Sequence, residues 1–294
     1  MSYLEKNPMI MIVVGILGIS MSAIFVKYST APSAVTAAWR LMWTVFLMTP
    51  VVLGKKRVRR ELRKTHPKTA MLSALSGVFL AIHFVVWFES LNHTSVASST
   101  TIVCTEVIWV ALGFCLFLKG RLSGRAMGAI AATLLGSVLI AFADSSAGGA
   151  HLYGDILAWI AAVAVAVYTL IGRVVRRDVS TTVYTYIVYA ACAAVLVVLC
   201  LVQKQNLLGY GISAPIVGLL LAVFSTILGH SIFSWCLKFF SPAFVSASKL
   251  CEPVAAAMMA GILFGEIPTP LQLLGGALII GGVAYYSRIE REKA

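Results

Sequence analysis

Charge is scarce in this chain of 294 residues: Asp and Glu number only 11, and all charged residues together make up 12%, against roughly 25% in soluble domains. Apolar residues, counting Tyr and Cys among them, make up 60%, and the mean hydropathy is +0.94. So few charges cannot cover a core built from so much apolar surface. A water-soluble enzyme is therefore excluded, and an integral membrane protein is implied. Aspartate occurs only as Asp144, Asp155 and Asp178, each in an expected loop. Catalytic signatures are absent as well: no HExxH, no Gly-x-Gly-Asp, no Gly-x-Ser-x-Gly elbow and no phosphate-cradling glycine loop. Neither an enzyme nor direct use of ATP is expected. The cysteines (Cys104, Cys115, Cys192, Cys200, Cys236 and Cys251) lie in apolar stretches with no CxxC spacing, so no disulfide, metal site or other cofactor is expected.

What is present is long apolar runs and a skewed positive charge. A helix needs about 20 apolar residues to cross the hydrocarbon core. On that measure ten spans are expected, near 9–28, 34–54, 69–91, 95–118, 126–143, 153–172, 180–202, 215–237, 243–264 and 270–287. The runs are continuous and not alternating, which excludes a β-barrel. The first is too long for a signal-peptide core, so it is expected to be retained. The net charge of +12 does not point to nucleic acid. Eight basic residues crowd one loop: Lys55, Lys56, Arg57, Arg59, Arg60, Arg63, Lys64 and Lys68. With the N-terminus inside, nineteen of the 23 Lys and Arg fall in inner segments. That bias predicts a multi-pass protein of a bacterial-type plasma membrane with both termini cytoplasmic.

The chain divides near residue 146, in the Gly/Ser/Ala stretch after Asp144, into halves of five spans each, 1–146 and 147–294. An offset of 146 carries Glu106 onto Glu252 and Lys27 onto Arg173, and brings His83 within one position of His230. An odd number of spans per half forces the halves into opposite orientations. Inverted repeats of this kind place a substrate site near the midplane between them.

The quoted segments carry a resemblance. The second half reads Leu228-Gly-His-Ser-Ile-Phe-Ser-Trp-Cys-Leu-Lys238, Leu250-Cys-Glu-Pro-Val254, Leu263-Phe-Gly-Glu-Ile-Pro268 and Leu274-Gly-Gly-Ala-Leu-Ile-Ile-Gly-Gly-Val283; the first has His83-Phe-Val-Val-Trp-Phe-Glu-Ser-Leu91 and Thr94-Ser-Val-Ala-Ser-Ser99. Along essentially its whole length the chain resembles the EamA branch of the drug/metabolite transporter superfamily. The resemblance implies an all-α membrane protein, ten transmembrane helices as two inverted five-helix repeats around a central cavity. It also implies transport of small metabolites, amino acids or drugs, often against protons. The chain departs from the family pattern in its first half, where Glu106-Val107 and Lys119-Gly120 stand where Glu252-Pro253 and Gly265-Glu266 keep it.

Ionisable groups within spans are the strongest functional signal, because a charge at the bilayer centre costs at least about 2.5–3.5 kcal/mol. Glu106 and Glu252 are expected near the midplane of the fourth and ninth spans, where they would bind substrate and protons. Lys249, three residues before Glu252, projects from the same helical face. It is expected either to pair with Glu252, freeing Glu106 as proton carrier, or to bind a substrate carboxylate. His83 and His230 can titrate near neutrality and are placed in opposite membrane halves by the inversion. Trp109 and Tyr168, with the Tyr184, Tyr186 and Tyr189 cluster, offer rings for a planar or cationic substrate. Arg40 and Glu89 are expected to form an outer gate with Trp39 and Trp87, with an outward-reaching Arg40 as the alternative. Gly261/Gly265, Ala132/Gly136 and Ala277/Gly281 read as helix-packing sites. The partners expected are a small-molecule substrate (cationic or zwitterionic), protons and the lipid bilayer, with no nucleic acid; the sequence leaves the oligomeric state open, a monomer being plausible. An uncoupled facilitator of a small polar metabolite is the competing reading.

Overall fold

In lipid every backbone N–H and C=O must be satisfied within the chain, which leaves helices as the solution for continuous apolar runs. The computed structural model describes residues 7–94, 96–144, 152–252, 254–255 and 269–292, and every regular element among them is helical. The helices are α1 (Pro8–Ser20), α2 (Ser22–Lys27), α3 (Ser33–Gly54), α4 (Lys56–Lys64), α5 (Pro67–His93), α6 (Val96–Cys104), α7 (Glu106–Leu116), α8 (Gly124–Asp144), α9 (Leu152–Val175), α10 (Thr181–Val202), α11 (Ser213–Leu220), a π-helix (Leu221–His230), α12 (Ser231–Cys236), α13 (Pro242–Lys249) and α14 (Pro270–Arg291). Starts follow local chemistry: proline opens α1, α5 and α13, where its missing N–H costs nothing. The side chains of Ser180 and Ser241 cap α10 and α13 by accepting from Val183 N and Phe244 N.

Among the described residues seven helical stretches are long and apolar enough to cross a membrane: Pro8–Lys27, Ser33–Gly54, Pro67–His93, Ser99–Leu116, Leu152–Val175, Thr181–Val202 and Ser213–Cys236. The other expected spans fall on α8, on α13 with the residues after it, and on α14. The Gly261/Gly265 packing pair, Gly265-Glu266 and the boundary at 146 lie outside the described residues.

Uninterrupted spans were expected; instead the first, fourth, eighth and ninth are broken or altered. Side-chain hydroxyls turn back onto the helix backbone at three of these sites. Ser20 Oγ donates to Ile16 O just before the break at Met21, and Thr105 Oγ1 donates to Ile102 O at the break between α6 and α7. In the π-helix Thr226 Oγ1 donates to Leu221 O, and Ser231 Oγ to Thr226 O just past its end, each reaching five residues back. The basic loop also differs from expectation, being mostly the helix α4.

Neighbouring helices pair in a regular way. The third span lies on the sixth (α5 with α9), the first on the eighth (α1 with the π-helix), and the second on the seventh (α3 with α10). The fourth lies on the ninth (α7 with α13) and the fifth on the tenth (α8 with α14). Exchanging the halves turns the first–eighth contact into the sixth–third contact and leaves the rest unchanged, as a two-fold relation requires. Two contacts leave no room for a side chain. A Cβ on Gly77 would fall into the Val188 carbonyl, and one on Gly136 would come within 2.5 Å of Gly275 O. Of the expected Ala277/Gly281 pair, Gly281 has open space around it; the close approach belongs to Gly282, against Thr133.

The basic segments gather at one end of the bundle. Glu61 on α4 accepts from Ser180 N at 2.5 Å, and Glu290 on α14 accepts from Ser241 N at 2.9 Å. Arg125 meets Glu292 at 3.6 Å. Arg173 donates to Leu237 O and Phe240 O, and Arg176 to Ser234 O and Val179 O, covering carbonyls at the end of α12. Desolvation lowers the Arg176 guanidinium to about 10, still cationic at neutral pH. At the opposite end, Thr94 Oγ1 donates to Asp155, Thr30 bonds Ser213, and Trp43 Nε1 donates to Pro215 O.

Candidate functional site

The breaks in the fourth and ninth spans place charges at helix termini. Glu106 is the first residue of α7, so its carboxylate sits at the positive end of a helix dipole. Lys249 is the last residue of α13, so its ammonium sits at a negative end. The two meet: Lys249 Nζ donates to Glu106 Oε1 at 2.8 Å, with 10% and 5% of the side chains exposed. Phe233 covers the ammonium at 5.5 Å from ring centre to nitrogen.

This pairing differs from the expected Lys249–Glu252 bridge. The i,i+3 argument assumes a continuous helix, but the chain turns at Leu250 and Cys251 between the two residues. Glu252 faces the same cavity, and among the described residues no hydrogen bond or ion pair holds its carboxylate. The acid engaged by lysine is therefore Glu106, and the uncommitted one is Glu252.

Arg40 also departs from its expected place. It is wholly buried and turned into the bundle, neither reaching outward nor touching Glu89. Its Nε donates to Thr226 Oγ1 at 2.7 Å, its Nη1 to Ser22 Oγ at 3.4 Å, and its guanidinium lies 4.0 Å over the Phe84 ring. Glu89 sits at the far end of α5, accepting from Ser33 Oγ at 2.8 Å and bonded to His93 at 3.1 Å. Trp39 stays near that end, donating Nε1 to Leu207 O. Trp87 is buried beside the cavity, stacked on His83 at 5.9 Å. The four expected gate residues thus separate, with Arg40 and Trp87 at the centre and Glu89 and Trp39 at the end.

The histidines were expected in opposite halves, yet their rings lie 6.3 Å apart. His83 Nδ1–H donates to the Ala161 carbonyl at 3.0 Å, which fixes that tautomer. Tyr168 packs against His230 at 6.1 Å between ring centres, and its hydroxyl bonds Ser234 at 2.8 Å. Of the tyrosine cluster, Tyr184 and Tyr189 are buried on Ser76 and Ser231, and Tyr186 bonds Thr49. Trp109 does not line the cavity: it meets Trp159, which is 48% exposed, edge-on at 5.5 Å.

These groups surround a cavity of about 50 Å³ lined by Arg40, His83, Glu106, His230, Lys249 and Glu252, with Trp87, Ser22 and Ser225 beside them. Ligand pockets usually measure about 300–1,000 Å³, so this cavity would have to widen to hold a solute. Sequence reasoning missed Ser22, Ser225 and Thr226. The available signal was a pair of hydroxyl residues one turn before His230 in an otherwise apolar run.

With this geometry in hand, relatives can be compared. The model of the EamA-like transporter family matches residues 6–142 and again 152–288. The chain is 26% identical over 246 residues to the "Probable terminal-alkyne amino-acid exporter" of Streptantibioticus cattleyicolor, covering 81% of this chain and 78% of that protein. A protein of known crystal structure shares the fold, with a TM-score of 0.80 at 18% identity over 97% of this chain and 99% of its own.

Proposed function

Because the chain belongs to the EamA-like transporter family, a family of membrane transporters and not enzymes, we propose that it exports an amino-acid-like, zwitterionic metabolite by alternating access. Ten spans in two inverted five-helix repeats rock about the central cavity, in a plasma membrane with both termini cytoplasmic. One observation carries the reading: a buried Lys249–Glu106 pair joins two broken helices beside the uncommitted carboxylate of Glu252. An amino-acid exporter is among the relatives of comparable length, which supports this substrate class. Glu252 takes either the substrate's ammonium or a proton, since one carboxylate in an apolar setting binds one cation at a time. That exclusivity is the elementary requirement of exchange. Glu106, held by lysine, anchors the site.

The test is transport in proteoliposomes with and without an imposed pH gradient. Wild-type protein concentrates amino acid against the gradient of protons. Glu252→Gln loses that accumulation but retains substrate exchange at symmetric pH. Undiminished proton-driven accumulation in Glu252→Gln removes it as the carrier. Wild-type flux indifferent to the gradient makes the protein an uncoupled facilitator.

A further inference from the structure

Buried polar groups in a folded protein are nearly always hydrogen-bonded, and each exception calls for a partner. Among the described residues, three that line the central cavity each carry an unpartnered buried atom: Arg40 Nη2, Trp87 Nε1 and Ser225 Oγ. Arg40 and Ser225 are 0% exposed and Trp87 is 5% exposed. They come from three separate elements, α3, α5 and the π-helix, so no single local distortion accounts for them. All three are able to donate. Arginine and tryptophan nitrogens can do nothing else, having no acceptor. A group of donors that lacks an acceptor defines the missing ligand as an anionic or carbonyl oxygen.

The charge around them narrows the choice. Lys249 is satisfied by Glu106, but no described carboxylate touches the Arg40 guanidinium. Thr226 and Ser22 hold its Nε and Nη1 in place, and the Phe84 ring lies against the guanidinium carbon. That holds the planar fork in place, with Nη2 unpartnered on a residue that lines the cavity. A fixed arginine fork is the preferred partner of a carboxylate. The π-helix that carries Ser225 also carries Thr226, so the segment that orients the arginine supplies a further donor.

We propose that Arg40, Trp87 and Ser225 form a receptor for the carboxylate of the transported solute. This rests on the amino-acid reading above and extends it. Arg40 takes the solute's carboxylate while Glu252 takes its ammonium, so the site recognises a zwitterion with both charges present. The Lys249–Glu106 pair stays closed while the solute is bound.

Binding to the purified, full-length protein in nanodiscs tests this with four probes: propargylglycine, its amide, homopropargylamine and N-acetylpropargylglycine. Wild-type protein binds the acid about tenfold or more tightly than the amide, the scale of a hydrogen bond to a charged group. Arg40→Gln abolishes that preference, while homopropargylamine, which has no carboxylate, still binds. Trp87→Phe and Ser225→Ala, which keep the packing, each reduce the preference. Glu252→Gln brings the N-acetyl probe level with the parent acid. Equal binding of acid and amide by wild-type protein overturns the receptor without any variant, leaving the three donors to water. A preference that persists in all three variants of the receptor overturns the assignment while the amino-acid reading stands. If wild-type protein binds only homopropargylamine, the amino-acid reading fails and takes the receptor with it.

Discussion

Replacing Lys249 by Met would leave the Glu106 carboxylate at the first turn of α7 with no cation on it. At the observed 2.8 Å, two unit charges attract by about 6 kcal/mol at an effective dielectric of about 20. Desolvation of both groups offsets most of that, so the net worth of the pair is small. Losing one partner is another matter and costs about 3–5 kcal/mol, because a charge stays buried alone. Glu106→Gln should cost a comparable amount by stranding Lys249. The double variant should cost far less than the sum of the two. Equilibrium unfolding in mixed micelles, followed by tryptophan fluorescence, measures all four corners of the cycle. The coupling, the sum of the single costs less the double cost, should be at least about 3 kcal/mol, whereas the Lys249–Glu252 cycle should give a smaller value. If the Lys249 and Glu106 costs add to within about 0.5 kcal/mol, the two residues do not form a pair in the membrane.

Topology follows from the placement of positive charge: single-cysteine labels at residues 60 and 294 should react only from the cytoplasm, and one at 148 only from outside. External labelling at 60 would reverse the orientation proposed for every span. Gly77→Ala should lower stability by about 1–3 kcal/mol through overpacking against the seventh span. Gly128→Ala, with open space around it, should be neutral or stabilising by up to about 1 kcal/mol; equal melting shifts for the two would refute the close contact.

Much of the architecture could be read from apolar run length, and the concentration of Lys and Arg anticipated which loops meet at one end. Glu106, Lys249, Glu252 and both histidines could be singled out because ionisable groups are costly in a membrane. Which of them touch could not be read. Spacing arguments place Lys249 beside Glu252 only on an unbroken helix, and the turn at Leu250–Cys251 removes that premise. Arg40 reads as a gate partner of Glu89, or as reaching outward, because hydropathy registers depth but not the hydroxyls of Ser22 and Thr226 that hold it inside. Trp109 sits one turn from Glu106, yet helical spacing does not say which neighbour a ring meets, and it meets Trp159.

The ion pair joins α7 to α13, the two pieces that run from the broken midpoints toward the basic end of the bundle. Glu252 lies on the other side of the turn that ends α13. Three charges close together in space are therefore mounted on mechanically distinct parts. Spreading the basic end must pull Lys249 from Glu106, or carry α7 and α13 along as one block. On the proposed alternating access, spreading the opposite end should leave the pair in place and shift Glu252. The bundle thus resists opening unequally at its two ends, like a clothes-peg with its spring set off centre. A solute that held Glu252, as proposed, would load the compliant side while the stiff side stayed clasped.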